Sequence, residues 1–300
     1  MLISLELLNK RLIDLINKIM NIEKQYLELL QNVIDNGFLK SNRTGVSAYT
    51  IPNAMVQHDM SEGFPLLTTK KMGIKNISAE LEFFIKGLTD KNWLKERRCH
   101  IWDEWCNPSL IPDNLDEEER KEFQLSESDL GKVYGYQWRN FNSQEYDQLR
   151  NVMDTLRINP NDRRMVVSAW NPLQFDEMAL PPCHMMWGVT VVGGKLNLWW
   201  VQRSVDIFLG LPYNIASYAL LLKLLCEASG YEAGILTGFL SDVHLYGNHI
   251  DQAKLQLSRT PNVTPSLDII DFKNIYEWEY KQVEISGYDP HNPIKAPIAV

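Results

Sequence analysis

Hydrophobic positions along the chain change their spacing several times, and the stretches with helical spacing predict helices. Apolar residues recur at intervals of three and four in residues 1–35 and over Ile74–Ile85, which is the spacing of one buried helix face. A further stretch of this kind, IASYALLLKLLCEAS, follows Pro212 and Asn214 and precedes Gly230. Because asparagine caps helices well and glycine commonly ends them, we predict a helix that begins at these two residues and ends at Gly230.

Other stretches alternate with the period of two that is typical of strands. Arg164–Trp170 alternates in this way, and Trp187–Val201 is interrupted by Gly193-Gly194, a pair that tolerates the positive φ of a hairpin turn. Residues 107–131 are acidic and show neither period, so we expect an irregular surface insertion there. Strands and helices without regular alternation predict an α+β fold around one sheet.

The chain is predicted to be a single domain. No repeat or low-complexity linker divides residues 1–300, and residues 1–25 are expected to form an N-terminal helical extension. Charged residues interrupt that segment at helical spacing, which favours an amphipathic helix over an export signal. The longest uncharged run, Ile207–Leu222, is short and contains glycine and proline, so no membrane span is expected.

Composition and charge narrow the possible partners. Hydrophobic residues make up 45% of the chain, as in a globular protein with a sizeable core. Lys and Arg number 30 against 38 Asp and Glu, a net charge of −8, which disfavours binding to DNA or to an anionic membrane. An anionic substrate would therefore need locally placed Arg or Lys. The four cysteines contain no CxxC pair, and with no export signal we expect reduced thiols and a cytoplasmic location.

One cysteine has the surroundings of a nucleophile. Cys183 follows two prolines in LPPCHMMW, and Arg203 lies just beyond the predicted hairpin. A cation near a thiol lowers its pKa and makes it a nucleophile. From the residues alone, Cys183 could equally be a buried small hydrophobic residue, and Arg203 could form an ordinary surface ion pair.

Other charged residues leave similar alternatives open. Arg163 and Arg164 are adjacent at a strand entrance, so they point to opposite faces, and either could bind phosphate or be solvated. Glu80 lies among apolar helix residues in SAELEFF, where a charge is costly unless the side chain faces solvent or has a specific task.

Nine short motifs together suggest a family. NRTG, LTTK, IWDEW, VYGYQWR, RRMVVSAWN, MALPPCH, QRSVDIFLGLPYNIASYALL, DVHLYGNHIDQ and IKAPIAV occur in this order. From about Tyr26 to Val300, the chain resembles the folate-dependent thymidylate synthases that use a cysteine nucleophile. The resemblance implies a three-layer α+β subunit and an obligate homodimer whose mixed sheets stack back to back.

The resemblance also implies the reaction. A cysteine thiolate adds to C6 of the uracil ring of dUMP, and C5 then takes a methylene group from 5,10-methylenetetrahydrofolate. Loss of tetrahydrofolate leaves an exocyclic methylene, and hydride transfer from the folate gives dTMP and dihydrofolate. The folate is a co-substrate, and no metal is expected, since no third ligand motif accompanies His244 and His249.

Matching positions imply roles for individual residues. The implied catalytic residues are Cys183, Glu80, Tyr134, Arg203, Asn214, His184 and Asp206. The implied dUMP ligands are Arg43, Arg163, Arg164, Gln202, Arg203, Ser204, Asn214, His244 and Tyr246, with Arg163 and Arg164 donated by the partner subunit. The implied folate site contains Lys70, Ile101, Trp102, Leu180, Asp206, Gly210, Tyr213 and Ala299.

Some of these roles have a specific chemical content in the family. Glu80 would move protons to and from uracil O4 through water, and Tyr134 is associated with removal of the C5 proton. Asn214 would distinguish uracil from cytosine, because a carboxamide donates to O4 and accepts from N3–H. Asn214 is also a good helix N-cap, and the two roles are compatible.

The chain departs from the family pattern at several positions. Gly73 stands where a histidine is frequent, and Leu240-Ser241 replaces a Gly-Gly pair. These changes lie near the nucleotide and the folate and bear on the fate of the methylene intermediate. Two alternatives are therefore kept: a dUMP hydroxymethylase that quenches this intermediate with water, and a non-catalytic nucleotide- or RNA-binding homologue.

Overall fold

A computed structural model describes residues 21–42 and 45–298 of the chain. The strands are β1 (Phe38–Lys40), β2 (Ala48–Asp59), β3 (Val166–Ser168), β4 (His184–Val192), β5 (Lys195–Gln202), β6 (Val205–Asp206), β7 (Glu232–Tyr246), β8 (Ser266–Ile269) and β9 (Val283–Ser286). The helices are α1 (Ile22–Asn36), α2 (Ile74–Ile85), α3 (Asn92–Glu96), α4 (Glu117–Ser126), α5 (Gly135–Arg139), α6 (Gln148–Ile158), α7 (Gly210–Ser229) and α8 (Ile250–Leu257).

One mixed sheet organises the described part of the chain. Seven strands form it in the order β1-β2-β7-β5-β4-β3, with β6 paired to β7, while β8 and β9 form a separate antiparallel pair. Strands β5 and β6 run parallel to β7, and the remaining pairs in the sheet are antiparallel. The predicted α+β fold around one sheet is confirmed.

The inner face of this sheet packs against helix α7. Trp187 on β4 is paired with Trp200 on β5, and both side chains are fully buried. The ring of Trp200 stacks on Tyr218 of α7, with centroids 5.2 Å apart and planes 11° apart. Full burial of a large apolar side chain contributes roughly 1.5–3 kcal/mol, so this layer anchors α7 to the sheet.

The outer face of the sheet is less covered. Met55 on β2 is paired with Phe239 on β7, and these side chains are 55% and 45% exposed. Val201 on β5 is paired with Phe239 on the same face and is half-buried. An exposed apolar patch in the middle of a sheet is typical of an interaction surface.

Several predicted elements are confirmed at residue level. The helix over Ile74–Ile85 has the predicted bounds. The hairpin is β4 and β5, and its turn residues Gly193 and Gly194 have φ of 61° and 80°. The strand predicted over Arg164–Trp170 is present but shorter, as β3. The part of the N-terminal helix predicted over residues 1–20 lies outside the described residues.

The prediction of irregular structure for residues 107–131 is wrong in its central part. Helix α4 occupies Glu117–Ser126. Its N-cap is Asp116, whose carboxylate accepts hydrogen bonds from the amides of Glu118 and Glu119, and the side chain of Glu119 accepts from the amide of Asp116. This reciprocal capping box stabilises a helix that buries none of its own residues.

None of the helices in the described part of the chain combines the length and the hydropathy that crossing a bilayer requires.

Candidate active site

Residues that follow or precede different strands meet at one edge of the sheet. Cys183 immediately precedes β4, while Arg203 and Ser204 immediately follow β5. The amide of Arg203 donates to the carbonyl of Cys183 at 2.8 Å. Asp206 on β6 lies beside His244 on β7. The sheet therefore brings together residues as far apart in the sequence as Cys183 and His244.

These residues line a cavity of about 660 Å³. Its size is within the range of small-molecule sites. The predicted site residues that line it are Leu180, Cys183, Arg203, Ser204, Asp206, His244 and Tyr246. It is also lined by Lys40, Asn42, Ala48, Thr50, Trp105, Pro181, Asp242 and Ile298, which the sequence analysis did not single out.

The guanidinium of Arg203 is fixed next to the nucleophile candidate. Its Nε donates to the carbonyl of Pro182 at 2.9 Å, and its Nη2 donates to that of Pro181 at 2.7 Å. A guanidinium has five N–H donors, so three remain for other partners.

Tyr134 is hydrogen-bonded to the backbone of Cys183. The amide of Cys183 donates to the phenol oxygen of Tyr134 at 2.8 Å. The Tyr134 ring stacks on Phe84 with centroids 4.9 Å apart, and its centroid is 4.2 Å from that of His184. Its φ of 26° is in the left-handed region, and such strain in a non-glycine residue is common at functional sites.

His184 is a neutral group in this arrangement. Its Nδ1 lies 2.8 Å from the hydroxyl of Tyr218. Burial lowers the pKa of His184 to about 3, so the ring is uncharged near neutral pH. The positive charge held beside the Cys183 backbone is therefore that of Arg203, and His184 supplies none.

Glu80 on α2 is a carboxyl group with a pKa suited to proton transfer. Burial raises the pKa of Glu80 to about 7, and a hydrogen bond from Trp102 opposes this shift. The indole Nε1 of Trp102 donates to Oε1 of Glu80 at 2.7 Å. A carboxyl that titrates near neutral pH can both accept and donate a proton under working conditions.

Asn214 is not the helix N-cap that the sequence analysis expected. Helix α7 begins earlier, at Gly210, and has no side-chain cap at Leu209. Asp206 satisfies the preceding turn instead, since its Oδ1 accepts from the amides of Phe208 and Leu209 at 2.9 and 3.0 Å. Asn214 thus lies in the second turn of α7, and its side chain is free for another role.

That side chain is oriented by Gln202. The Nε2 of Gln202 donates to Oδ1 of Asn214 at 3.1 Å and to the carbonyl of Ser204 at the same distance. Its Oε1 in turn accepts from the indole of Trp200 at 3.3 Å. A Cβ atom at Gly210 would lie 3.5 Å from Asp206 and 3.7 Å from Asn214, so Gly210 lies between these two predicted site residues.

His244 and Tyr246 lie together at the C-terminal end of β7. Their rings meet edge to face with centroids 5.2 Å apart. The Nδ1 of His244 is 2.9 Å from the carbonyl of Asp242 and 3.2 Å from its carboxylate. These contacts leave Nε2 as the nitrogen that faces away from Asp242.

Five of the described predicted folate residues are not in the cavity lining: Lys70, Ile101, Trp102, Gly210 and Tyr213. Lys70 is buried, donates to the carbonyl of Phe208 and lies 3.8 Å from the centre of that ring. Burial lowers the pKa of Lys70 to about 7. A Cβ atom at Gly73 would lie 3.2 Å from the hydroxyl of Tyr213. Ile101 is half-buried in the loop that also carries Trp102.

The remaining predicted residues are apart from this cavity or outside the described chain. Arg163 and Arg164 are exposed, and Arg164 pairs with Asp162 at 2.7 Å. Neither lines the cavity of its own chain. Arg43 and Ala299 lie outside the described residues, so their roles stay predictions.

Trp105 is a cavity residue that the sequence analysis did not assign, whereas the C-terminal motif IKAPIAV was expected near the folate. Trp105 belongs to the quoted motif IWDEW and packs edge to face on Trp102 at 6.0 Å. Near the C-terminus, Nε2 of the buried His249 lies 2.7 Å from the carbonyl of Pro297, which places Ile298 in the cavity wall. The motif around Trp105 could have indicated its role, and the contact that holds the C-terminal segment joins residues 48 positions apart.

Among residues 21–42 and 45–298, no group of three or more His, Cys, Asp or Glu side chains is arranged to hold a metal ion.

Comparison with protein families agrees with this geometry. A family model described as thymidylate synthase matches residues 24–300, which is nearly the whole chain and includes every element of the site described above.

Proposed function

Because the chain belongs to the thymidylate synthase family, and is therefore a one-carbon transferase of that kind, we propose that it converts dUMP to dTMP. The co-substrate is 5,10-methylenetetrahydrofolate, and the second product is dihydrofolate. The observation that carries the proposal is one cavity lined by Cys183 and Arg203, whose backbones are hydrogen-bonded. The carboxyl of Glu80, whose pKa is about 7, is connected to it through Trp102 and Tyr134.

Cys183 is the nucleophile in this proposal. Its thiolate adds to C6 of uracil, which makes C5 nucleophilic toward the methylene group of the folate. Arg203 favours the thiolate, and its remaining N–H donors bind the phosphate of dUMP together with Ser204. His244 and Tyr246 bind the 3′-hydroxyl of the deoxyribose. The backbone of Cys183 is fixed at both ends by Tyr134 and Arg203, so the sulfur approaches C6 in a defined direction.

Glu80 donates and accepts protons as charge develops on the uracil ring. Addition at C6 places negative charge toward O4, and a protonated Glu80 relieves it by donating a proton through water. The ionised form takes a proton back when C5 is deprotonated, with Tyr134 nearby. Because the pKa of Glu80 is about 7, both its protonated and its ionised form are populated near neutral pH.

The cavity wall supports hydride transfer rather than capture of the intermediate by water. Trp105, Leu180 and Ile298 are apolar lining residues, and the ring of Trp102 lies 5.9 Å from that of Tyr134. An apolar wall excludes water from an electrophilic methylene. Gly73 stands where the family often has histidine, and this missing histidine is the feature that favours the alternative of a dUMP hydroxymethylase. A Cβ atom at Gly73 would lie only 3.2 Å from the hydroxyl of Tyr213.

The test of this function is a product analysis. The protein is incubated with dUMP and 5,10-methylenetetrahydrofolate, and nucleotides and folates are separated by chromatography. We expect dTMP and dihydrofolate in equal amounts. A mixture of 5-hydroxymethyl-dUMP and tetrahydrofolate would establish the hydroxymethylase instead, and no turnover with retained dUMP binding would favour the non-catalytic homologue.

The active unit in this proposal is a homodimer. Met55 and Phe239 form an exposed apolar pair on the outer face of the sheet, which is suited to stacking against the same face of a second copy. Arg163 and Arg164 are exposed and away from their own cavity. In the dimer they would reach the phosphate in the partner subunit.

Mixing two inactive variants is expected to restore activity. Arg163→Ala removes the donated arginine, and Cys183→Ser removes the nucleophile of the other subunit. In heterodimers, one of the two sites receives an intact arginine and an intact cysteine, so up to about a quarter of wild-type activity should return after subunit exchange, following the statistics of a two-fold dimer. If exchange is verified by mass and no activity returns, Arg163 acts within its own chain.

Asn214→Asp is expected to change the base preference. The variant keeps the oxygen that accepts from Gln202 but loses the amide donor to O4, and a protonated carboxyl suits N3 and the amino group of cytosine. We expect dUMP turnover to fall by roughly tenfold to a hundredfold and dCMP to become a substrate. A melting temperature close to wild type is expected, because a carboxylate is tolerated near a helix N-terminus.

Competition between dUMP and dCMP in one assay measures this preference. Retention of the uracil preference in a folded Asn214→Asp protein would show that another residue recognises the base.

A cytoplasmic location suits this chemistry. Cys99, Cys106, Cys183 and Cys226 form no disulfide in the described part of the chain, and a reducing compartment keeps thiols in this state.

A further inference from the structure

Lys91 is a buried lysine that the mechanism does not use. Its side chain is fully buried, just before helix α3. Its Nζ donates to the carbonyls of Asp103, Trp105 and Gln124 at 2.9, 2.8 and 2.6 Å. An ammonium has three N–H donors, and all of them are used on backbone oxygens.

One of these carbonyls belongs to the last turn of helix α4. The final carbonyls of a helix lack partners within the helix and carry a partial negative charge. Helix α4 has no basic residue of its own in its last turn and buries none of its residues. Lys91 supplies the missing cation at Gln124, and Lys95 supplies a second one at the carbonyl of Leu125, at 3.3 Å.

The other two carbonyls belong to residues 101–107, which carry Trp102 and Trp105 and are called the tryptophan loop below. Asp103 and Trp105 lie in the segment after Trp102, which donates to Glu80. Trp105 lines the cavity and packs on Trp102. The same ammonium therefore holds the cavity wall on one side and helix α4 on the other.

Further backbone hydrogen bonds join the segment that contains α4 to Lys91 and to Asn107. Its amide donates to the carbonyl of Ser128 at 2.8 Å, and the amide of Asn107 donates to that of Asp129 at 2.7 Å. Residues 107 and 129 lie near the two ends of the segment that contains α4. The segment is thus tied at its base, and Lys91 links helix α4 itself to the carbonyls of Asp103 and Trp105.

We propose that Lys91 is a positioning residue, which couples helix α4 of the acidic segment to Trp105 and Trp102 and so sets the folate-facing wall of the active site. The proposal rests on the proposed function only in assigning that wall to the folate. Burial lowers the pKa of Lys91, as expected for a cation that is out of water. An isolated charge would be costly there, so its position requires the three carbonyls to stay in place.

The test compares Lys91→Met with Lys95→Met. Methionine fills a similar volume without a donor, and both lysines contact α4, but only Lys91 contacts the tryptophan loop. In hydrogen exchange of the ligand-free protein, we expect Lys91→Met to speed exchange in residues 101–107 and 117–127 together. Lys95→Met should speed exchange in residues 117–127 alone. Unchanged exchange of residues 101–107 in Lys91→Met would overturn the coupling.

Kinetics provide the second measurement. We expect Lys91→Met to raise the KM for methylenetetrahydrofolate by about three- to tenfold, on the order of one weakened hydrogen bond to a charged group, and to leave the Kd for dUMP unchanged. Lys95→Met should change neither. An equal loss of both affinities would show a purely structural role. A wild-type protein that does not bind folate would refute the proposed function, while the exchange result would still decide the coupling.

A further variant covers the case in which Lys91→Met does not fold. Asp116→Ala removes the capping box of α4 at a distance from the cavity and leaves Lys91 in place. We expect faster exchange in α4 and, more weakly, in residues 101–107, with Glu122→Ala on the same exposed helix as the control. Fraying of α4 with no change in residues 101–107 would contradict the coupling.

Discussion

Cys183→Ser is expected to lose catalysis almost completely, with a fall in kcat on the order of a thousandfold or more, as for other covalent nucleophiles. Serine keeps the size of the side chain, but its hydroxyl is not ionised by a neighbouring arginine as a thiol is. The fixed backbone of Cys183, between Tyr134 and Arg203, should leave dUMP binding intact. Isothermal titration with dUMP and steady-state assays separate the two effects.

The covalent step itself is detected by mass spectrometry. With 5-fluoro-dUMP and methylenetetrahydrofolate, wild type should gain the mass of both ligands, and Cys183→Ser should gain none. The matched controls are serine variants of Cys99 and Cys226, which are buried and whose pKa values burial raises to about 12. An adduct that persists in Cys183→Ser would show that another residue is the nucleophile.

Glu80→Gln is expected to have the second largest effect, a fall in kcat of roughly a hundredfold to ten-thousandfold, the usual contribution of a general acid or base. The amide keeps a hydrogen-bond acceptor for Trp102 but cannot exchange a proton. The remaining activity should lose the titration near pH 7 that the pKa of Glu80 gives to wild type. A pH profile of kcat for both proteins measures this, and an unchanged profile would remove Glu80 from the proton path.

The same substitution should affect stability in a pH-dependent way. The pKa of Glu80 is about 7 in the folded protein and 4.5 in the reference state, so the folded state binds more protons between these values. The free energy of unfolding of the wild-type protein therefore falls as pH rises from 4.5 to 7. Glu80→Gln avoids this loss, and its melting temperature should exceed that of wild type at pH 8 but not at pH 4.

Trp102→Phe is the matched variant for the pH argument. The indole hydrogen bond lowers the pKa of Glu80, so its removal should move the stability transition to higher pH. A shift to lower pH, or a melting difference that does not depend on pH, would show that burial of Glu80 is not the cause.

Elements with strong local patterns were predictable from the sequence. The helix over Ile74–Ile85 and the hairpin at Gly193-Gly194 follow from spacing and from residues suited to the turn. The start of α7 was not predictable from the cap at Asn214, because proline is tolerated in the first turn of a helix. The helix therefore extends back to Gly210, where Asp206 caps the preceding turn.

Helix α4 was not predicted from the sequence for a different reason. It has no apolar face, so its spacing carries no helical pattern, and its acidic composition suggested a loop. The Asp116 and Glu119 pair of its capping box was nevertheless present in the sequence. Its fixation by Lys91 could not be predicted, since it joins residues 33 positions apart through a backbone carbonyl.

The site was predictable as a set of residues but not as a geometry. The motifs indicated Cys183, Arg203 and His244, which the structure places around one cavity. The pKa of Glu80 depends on its burial and on Trp102, and the orientation of Asn214 depends on Gln202. Such long-range contacts arise only when the sheet and α7 pack together.

The source of the third hydrogen in the product methyl group tests the central claim most directly. The protein is incubated with dUMP and methylenetetrahydrofolate that carries deuterium at C6 of the pterin. Hydride transfer predicts dTMP that is one mass unit heavier, with the deuterium in its methyl group and dihydrofolate formed in equal amount. Formation of 5-hydroxymethyl-dUMP without deuterium, together with tetrahydrofolate that retains it, would contradict the proposed function.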